Sequence, residues 1–472
     1  MIKINPFSNP KRYAWGNNAG DKGMGYFFAD AHKDIARFVE ESKCWYVYSN
    51  THWKKDSNGN KVAELAKTFT DYMIDCHRHI DGEDVKRAWI GFCGLRMKNS
   101  NRNIMIKEAA SVHPISITEF DKNPWLLNCQ NYTLNLKTNK AYKHRPSDLL
   151  SKVANVEFDK NATCERWEQF IKEIMQDDND KADFLQKALG YSLTGVTNHE
   201  CMFILYGAKH RNGKGTTMET ILHLLGDYGK SAQPETIMSK QNPNSSAPNE
   251  DIARLKGARF VNISEPEKGL RLNEALVKRM TGNDTLTARF LNENSFEYKP
   301  EFKLFVNTNH KPIIRDIGVF VSGRIHLIPF ERHFEPHEQD KNLKEFFREP
   351  ENLSGILNWC IVGLKDLVAN GISPPEVIVD ATSEYKQESD IIGQFISDCL
   401  IKMLGHNATF KQVNMEYVKW CDGQQMRPMS SKSLSRELQS KGIVIRNGVR
   451  NTVYVYDTAI VEQGDDNPFL DG

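Results

Sequence analysis

The pattern of hydrophobic and polar positions predicts a definite order of elements in the middle of the chain. Residues 201–206, CMFILY, are an unbroken apolar run, which is typical of a buried strand. After a short polar stretch, Met218, Ile221 and Leu225 recur at helical spacing. The pattern therefore predicts a buried strand, a loop that starts at residue 207 and an amphipathic helix, in that order.

The chain before this strand has two parts. The first 145 residues mix short aromatic strands with helices, and residues 45–53 have the pattern of a small hairpin. From about Pro146 to Leu193 the spacing is helical. His77 and His79 could suggest a metal site, but matched ligands are lacking elsewhere in the sequence, so we interpret them as part of a polar turn.

The last part of the chain has the pattern of a small module. Residues 391–404, 412–421 and 431–442 have helical spacing, and 443–456 predict a hairpin that turns at Asn447-Gly448. Three helices followed by a hairpin predict a winged helix.

The same module is locally basic, because residues 391–456 hold nine Lys or Arg against four Asp or Glu. In its third helix Leu434 and Leu438 should face inward. That orientation leaves three basic side chains available for DNA phosphates, Lys432, Arg436 and Lys441. A solvated helix on a packed lid is the alternative interpretation.

Composition narrows the class of protein. The 472 residues include 62 basic and 61 acidic side chains, so no overall field draws the chain to nucleic acid or membrane. The nine cysteines lack any C-x-x-C pair, which argues against a zinc ribbon or a disulfide framework. No apolar stretch is long enough for a signal peptide or a membrane span. We expect a soluble cytoplasmic protein of two to four domains with no membrane partner.

The sequence between the predicted strand and helix, GAKHRNGKGT, has features of a phosphate-binding loop. The usual pattern, G-x-x-x-x-G-K-[ST], would place Ala208 at the opening glycine and Gly215 at the hydroxyl position, so two positions depart from it. The flanking strand and helix still provide the backbone N–H groups and helix dipole that phosphates need. We predict a nucleotide site that comprises Gly207, Ala208, Asn212, Gly213, Lys214, Gly215, Thr216 and Thr217.

Two residues of this site have predicted individual roles. Lys214 should hold the outer phosphates, and Thr216, or else Thr217, is the candidate hydroxyl ligand for Mg²⁺. A second pair, Gly229-Lys230, precedes a serine and fits the usual spelling better, but it follows the end of the predicted helix. We interpret this second pair as a chance match.

Polar residues follow two further predicted strands downstream. Glu265 comes after the strand 260–263 and is the candidate base for the attacking water, with Glu267 as the alternative. Asn309 or Asn307, after another apolar run, is placed to contact the γ-phosphate or the water. Arg324 precedes a later strand, where an arginine can stabilise transition-state charge across a subunit boundary or be an ordinary surface residue.

Taken together, these segments resemble superfamily 3 helicases of the phage and plasmid primase-helicase family, which is related to the poxvirus primase-helicase. The segments that carry the resemblance are GYSLTG, LYGAKHRNGKGT, ARFVNISEPEKGLRLNEALVKRMTGNDTLTARFL, FKLFVNTNHKP and GRIHLIPFERHF. The resemblance implies an AAA+-like ATPase, ATP and Mg²⁺ at subunit boundaries, a homo-oligomeric ring that is expected to be a hexamer, and 3′-to-5′ movement on single-stranded DNA.

The resemblance also assigns roles by position. Lys214 matches the phosphate-loop lysine, Glu265 the acid that holds magnesium together with Thr216, Asn309 the sensor and Arg324 the arginine finger. In related helicases the segment before the sensor forms a hairpin that contacts DNA. Four residues near it become DNA-contact candidates, Lys278, Arg279, Lys299 and Lys303.

The expected fold class is α/β, with an AAA+-like P-loop ATPase core, a mixed α+β N-terminal region and a C-terminal winged helix. The expected units are a helicase-associated domain (1–145), a helical lead-in or collar (146–195), the ATPase core (196–345), a helical lid or linker (346–390), the winged helix (391–460) and a flexible tail (461–472). Full primase-helicases carry a primase domain first, whereas here the helicase-associated region begins almost at Met1. We therefore expect no primase activity and a separate primase or initiator as partner.

The leading hypothesis is an ATP-dependent replicative DNA helicase of a phage or mobile element, which acts on single-stranded and forked DNA in the host cytoplasm. The alternative is an ATP-switched, origin-binding initiator or loader with little unwinding activity. A small-molecule kinase would suit the phosphate loop but not the asparagine, the arginine and the winged helix together.

Overall fold

The N-terminal part of the chain packs four helices on a small sheet. The computed structural model describes residues 4–16, 21–239, 249–264, 266, 269–291, 293–424, 426–448 and 452–461. The N-terminal helices are α1 (Lys22–His32), α2 (Asn60–Asp75), α3 (Glu83–Arg96) and α4 (Asn99–Ala109). The strands are β1 (Ala36–Val39), β2 (Cys44–Tyr48), β3 (Trp53–Asp56) and β4 (Pro114–Ile115), in the order β3-β2-β1-β4. The predicted hairpin is confirmed, since Tyr48 pairs with Trp53.

A three-stranded meander follows and belongs to a different core. Its strands are β5 (Leu126–Asn128), β6 (Thr133–Asn135) and β7 (Lys140–Tyr142). Leu127 and Leu134 are buried in the same cluster as Trp167, whereas the N-terminal helices have a cluster of their own around Phe69. The meander thus packs with the residues that follow it, although Leu149 packs beside Trp53 of the N-terminal sheet. The boundary at 145 stays a prediction.

The central region is a parallel sheet with helices on its faces. Its elements are α5 (Glu165–Met175), α6 (Asn179–Tyr191), β8 (Met202–Tyr206), α7 (Lys214–Leu225), β9 (Gly229–Ala232), α8 (Glu250–Ala253), β10 (Phe260–Ser264), α9 (Glu274–Thr281), β11 (Leu286–Ala288), β12 (Phe296–Tyr298), β13 (Lys303–Thr308), α10 (Gly318–Val321) and β14 (Ile325–Pro329). Five strands pair in the order β14-β8-β13-β10-β9, all parallel. Because parallel strands share a direction, their carboxyl ends meet at one edge of the sheet.

Two predictions about this region are confirmed. Residues 202–206 form the expected strand, one residue shorter than predicted, and 214–225 form the helix, with Met218, Ile221 and Leu225 buried. The second Gly-Lys pair lies in strand β9, beside β10, and not in a loop before a helix. Between the third and fourth strands of the sheet, β11 and β12 form an antiparallel hairpin.

Three helices follow, α11 (Leu343–Arg348), α12 (Pro350–Asn370) and α13 (Glu376–Ser389). Helices α11 and α12 belong to the core cluster on one face of the sheet, whereas α13 packs against the edge strand β14. Helix α12 lies very close to α6, because glycines face backbone at the contact. A Cβ on Gly190 would lie 2.4 Å from the Cys360 carbonyl oxygen, and a Cβ on Gly363 would lie 2.2 Å from that of Gln186. Such distances leave no room for a larger residue.

The C-terminal module has its own core around Phe395, Tyr417, Leu434 and Leu438. Its elements are α14 (Ile391–Cys399), β15 (Leu400–Lys402), β16 (Ala408–Thr409), α15 (Phe410–Gly423), α16 (Ser431–Ser440), β17 (Ile445–Asn447), β18 (Val453–Val455) and β19 (Thr458–Ile460).

Two details of this module differ from the prediction. The first helix ends at Cys399 and not at 404, because Leu400–Lys402 pairs with Thr458–Ile460 as a strand. The hairpin does not turn at Asn447-Gly448, since Asn447 pairs with Val453 inside the ladder. The predicted tail beyond 461 lies outside the described residues.

Candidate functional site

The candidate site is the loop that connects β8 to α7, at the carboxyl edge of the sheet. A Cβ on Gly207 would lie 2.3 Å from both the Phe330 carbonyl oxygen and Asn212 Nδ2. Gly213 has φ +85° directly before α7, and a Cβ there would lie 2.3 Å from Ile174 Cγ2. Ala208 is exposed and needs no such freedom. The residue that needs to be glycine is therefore Gly207, which lies one position before the opening glycine of the usual pattern.

The segment after β14 holds this loop in place. The Phe330 N–H donates to the Tyr206 carbonyl oxygen (2.6 Å), and the Phe334 N–H donates to that of Arg211 (2.8 Å). His333 Nδ1 donates to the carbonyl oxygen of His210 (2.7 Å). Three main-chain carbonyl groups, two in the loop and one directly before it, therefore fasten the loop to this segment.

Asn212 serves the shape of the loop. Its side-chain Nδ2 donates to the carbonyl oxygens of Lys209 (2.7 Å) and Phe330 (3.3 Å). Because the residue is only 4% exposed, this amide is an internal brace. Its backbone remains a candidate for phosphate contact.

Lys214 begins helix α7, and its ammonium points along the sheet edge. The Nζ atom donates to Asn309 Oδ1 (2.8 Å) and to the Gly207 carbonyl oxygen (3.3 Å). Asn309 follows β13, whereas Asn307 lies inside β13, where it pairs with Ser264 and Leu205. Of the two sensor candidates, the structure brings Asn309 to Lys214.

The two candidate hydroxyl ligands have different environments. Thr217 is fully buried, and its Oγ1 donates to the Gly213 carbonyl oxygen one turn earlier (3.1 Å). Thr216 is half-buried and lines a cavity of about 340 Å³ with Phe170, Phe334 and Gly213. The accessible hydroxyl is therefore that of Thr216.

Glu265 and its alternative Glu267 lie outside the described residues. Strand β10 ends at Ser264, one residue before Glu265, and its carboxyl end is at the same edge as that of β8.

Arg324 is at the opposite, amino edge of the sheet, directly before β14. Its guanidinium pairs with Glu200 (2.7 Å) and donates to Thr281 Oγ1 (3.0 Å). Within one chain it does not meet Lys214.

One DNA-contact prediction is wrong, that for Lys303. The side chain is 1% exposed, and its ammonium donates to the carbonyl oxygens of Thr194, Val196 (3.2 Å) and Glu301 (3.2 Å). Burial together with the charge of Arg259 holds the pKa of Lys303 well below its ordinary range. A lysine whose donors are enclosed by carbonyl groups cannot reach a DNA phosphate.

The other candidates differ in their freedom. Lys299 is exposed after the β11–β12 hairpin and lines a cavity of about 810 Å³ together with Arg254 and Lys256. Lys278 pairs with Asp316 (2.5 Å), and Arg279 donates to the Thr285 carbonyl oxygen (3.3 Å).

In the C-terminal module the candidates lie on α16 or just beyond it. Leu434 and Leu438 are buried as predicted, while Lys432 and Arg436 are exposed. Lys441 pairs with Asp390, the residue that caps α14. Two of the three predicted side chains are thus presented to solvent without such a partner among the residues that the structure describes.

Sequence reasoning missed His210 and His333. His210 Nδ1 lies 2.9 Å from Asn309 Nδ2, and His333 donates to the His210 backbone. The only sequence signal was a histidine within the phosphate loop, and histidine occurs at 14 positions in this chain.

The fold and site thus define an α/β protein with a parallel sheet and a tightly packed loop between strand β8 and helix α7. Residues 25–176 match the family described as D5 N terminal like. The chain is 28% identical over 420 residues to "Putative helicase L207/L206" of Acanthamoeba polyphaga mimivirus, covering 79% of this chain and 43% of that protein. It is 28% identical over 249 residues to "Putative helicase 022R" of Frog virus 3, covering 49% and 25%.

A further relative is "Putative primase C962R" of African swine fever virus (isolate Warthog/Namibia/Wart80/1980), 21% identical over 350 residues, with 69% of this chain and 36% of that protein covered. The chain spans less than half the length of these curated relatives. These matches confirm the predicted resemblance to primase-helicases, through a D5-like family model and relatives from DNA viruses.

A solved structure of the apo NrS-1 C terminal region (305-718) is similar at 10% identity and a TM-score of 0.46, with 90% of this chain and 96% of that chain covered. Among the described residues, none of the helices combines the length and apolar character that a bilayer span requires.

Proposed function

We propose that this chain is an ATP-dependent replicative DNA helicase with an AAA+-like P-loop core. The observation that carries the proposal is the contact between Lys214, at the first turn of α7, and Asn309, at the end of β13. A cation at a helix N-terminus and a polar sensor on a neighbouring strand end are the groups that phosphoryl transfer needs at one sheet edge. The names of the viral relatives point in the same direction.

The residues present fit ATP. Lys214 would attract the outer phosphates, Asn309 would contact the γ-phosphate, and Glu265 would accept a proton from the attacking water. The cavity beside Gly213, with Phe170 and Phe334 in its wall, is suited to a purine base. Bound Mg²⁺ would neutralise phosphate charge, with Thr216 and Glu265 as the residues that hold it.

A ring, proposed as a hexamer, would complete the site. Arg324 lies at the edge away from its own Lys214. A neighbouring subunit is therefore the natural place for it to act as an arginine finger.

Single-stranded DNA is the proposed substrate of the motor. Exposed Lys299, after the β11–β12 hairpin, and the exposed basic face of α16 with Lys432 and Arg436 are the proposed contacts. Three further DNA contacts are proposed with less support, because each side chain already has a protein partner: Lys278, Arg279 and Lys441.

The second candidate function is an ATP-switched, origin-binding initiator or loader. It is favoured by the exposed basic helix α16, which a winged helix would use to read duplex DNA.

A strand-displacement assay on a forked duplex tests the proposal. We expect ATP-dependent displacement by the wild-type chain and none by Glu265→Gln, which should still bind ATP. DNA-stimulated hydrolysis without displacement would favour the initiator, and normal turnover by Glu265→Gln would contradict the role of Glu265.

A further inference from the structure

We propose that His210, a residue of the phosphate loop itself, is a positioning residue that fixes the orientation of the Asn309 side-chain amide toward the γ-phosphate. The inference rests on the proposed function. It concerns how the sensor is held.

The atoms around Asn309 determine which way its amide must face. Lys214 Nζ can only donate, and the amide oxygen Oδ1 lies 2.8 Å from it. The amide nitrogen Nδ2, which can only donate, therefore faces His210 Nδ1 at 2.9 Å. His210 Nδ1 must accept this bond, which requires the neutral imidazole with its proton on Nε2.

Lys214 excludes the other amide orientation, because a turned amide would point the hydrogens of Nδ2 at the Lys214 ammonium. His210 then holds the orientation that remains, since its Nδ1 accepts from Nδ2. Turning the amide would also require the imidazole proton to move from Nε2 to Nδ1, so that Nδ1 could donate to Oδ1.

His210 is itself held in place by its backbone. Its carbonyl oxygen accepts from His333 Nδ1 (2.7 Å), and the next residue, Arg211, accepts from the Phe334 N–H (2.8 Å). The exposed imidazole thus extends from a fixed main chain, which lowers the entropy cost of holding Asn309.

Substitutions at His210 separate an acceptor role from a general loop role. We expect His210→Ala to lower kcat for ATP about tenfold, since one positioning hydrogen bond is lost. His210→Asn, whose amide oxygen can accept, should recover most of the loss. His210→Lys, which can only donate, should be at least as impaired as His210→Ala. His310→Ala is the matched control, because that exposed imidazole makes no hydrogen bond to any described residue.

Two readouts decide whether His210 acts through Asn309. In an Asn309→Ala background, His210→Ala should lower kcat less than about twofold further, because the partner is already gone. The Kd for ADP, which lacks the γ-phosphate, should not change in the two uncharged variants, His210→Ala and His210→Asn. Equal kcat losses with and without Asn309, or weaker ADP binding in step with kcat, would overturn the inference in favour of a role in loop shape.

A crystal structure of the His210→Lys variant is a test that needs no hydrolysis. We expect Asn309 Oδ1 to leave Lys214 Nζ in that variant and to stay beside it in His210→Asn. An unmoved Asn309 in His210→Lys would overturn the inference. Absence of hydrolysis in the wild type would count only against the proposed function, and the crystallographic test would still decide the role of His210.

Discussion

The two edges of the central sheet carry buried cations with different partners. At the carboxyl edge, Lys214 is 4% exposed and donates to the side-chain oxygen of Asn309 as well as to the Gly207 carbonyl oxygen, and the adjacent Gly213 lines a cavity of about 340 Å³. At the amino edge, Lys303 and Arg259 are each 1% exposed and donate to main-chain carbonyl groups. Arg259 joins the Leu193 and Leu126 carbonyl oxygens at 2.7 and 2.8 Å, so it ties the meander to the sheet.

The difference separates a cation with a structural role from one that we propose to bind phosphate. A lysine or arginine that spends its donors on carbonyl groups stabilises the fold, because those carbonyls would otherwise be buried unpaired. A lysine at a helix N-terminus beside a cavity can still receive an anion.

Lys214→Ala should reduce ATP hydrolysis by about 10³-fold or more, because it removes the cation from the phosphate site. Its melting temperature should stay close to that of the wild type. A phosphate-release assay and a thermal melt of the same preparation check both statements. A large loss of stability with little loss of hydrolysis would place Lys214 in the same structural class as Lys303.

Arg324→Ala should reduce hydrolysis about 10³-fold if the residue acts on a neighbour's nucleotide. Mixing Arg324→Ala with Lys214→Ala subunits should restore part of the activity, since some mixed interfaces then combine an intact lysine with an intact arginine. Glu200→Gln, which removes the ion-pair partner at 2.7 Å but keeps the arginine, is the control and should stay active. If the mixed subunits are shown to assemble together and hydrolysis still does not recover, Arg324 does not act in trans.

Lys303→Met should lower the free energy of unfolding by about 3 kcal/mol, because it leaves the Thr194, Val196 and Glu301 carbonyl groups without their donor. Below the melting transition, affinity for single-stranded DNA should not change. Urea unfolding and a DNA-binding titration measure the two effects. Weaker DNA binding at unchanged stability would restore Lys303 as a DNA contact.

His326 gives the sheet a predicted pH dependence. It lies in β14 between Phe184 and Phe203, with ring centroids 5.5 and 5.9 Å away, and burial lowers its pKa to about 4. Between about pH 6.5 and pH 4 the unfolded chain binds a proton that the folded chain does not, so stability is lost as the pH falls through this window.

His326→Phe should remove this loss. Between pH 7.5 and pH 5 the variant should lose about 2 kcal/mol less unfolding free energy than the wild type. Urea unfolding of both proteins at both pH values measures this difference. An equal pH dependence in both proteins would show that His326 is not the titrating group.

The sequence predicted the parts of the molecule that depend on local pattern. The strand, loop and helix around Lys214 follow from apolar runs and from glycines that are neighbours in the chain. Asn309 was found with Asn307 as the alternative, because a strand's last residue is uncertain by one or two positions without its partners.

The rest depends on contacts between distant segments. Lys303 is the first residue of β13, and its carbonyl partners Thr194 and Val196 precede it by more than a hundred residues. The end of α14 is set by pairing with Thr458–Ile460, and His210 acquires its partner only when β13 lies beside β8. No local pattern encodes such pairings.

The smallest predicted effect concerns the unusual spelling of the loop. The Thr217 hydroxyl donates to a carbonyl group within α7, so Thr216 carries the hydroxyl that is available to Mg²⁺. Thr216→Ala should therefore raise the Mg²⁺ concentration needed for half-maximal hydrolysis about tenfold. A Cβ on Gly215 would meet nothing within 4 Å, so Gly215→Ser fits without strain and restores the usual hydroxyl position.

The double variant decides between these two positions. If one hydroxyl near the start of α7 is enough, adding Gly215→Ser to Thr216→Ala should bring the Mg²⁺ concentration for half-maximal hydrolysis back toward the wild-type value. A Mg²⁺ titration of the hydrolysis rate measures this. Thr217→Val is the matched control, because its hydroxyl faces the Gly213 carbonyl oxygen at 3.1 Å and should have no part in metal binding. An unchanged titration in both Thr216→Ala and Thr217→Val would mean that neither hydroxyl binds the metal. The metal would then depend on the acidic side chain after β10, and the carboxyl edge would differ from other phosphate loops in its ligands as well as in its spelling.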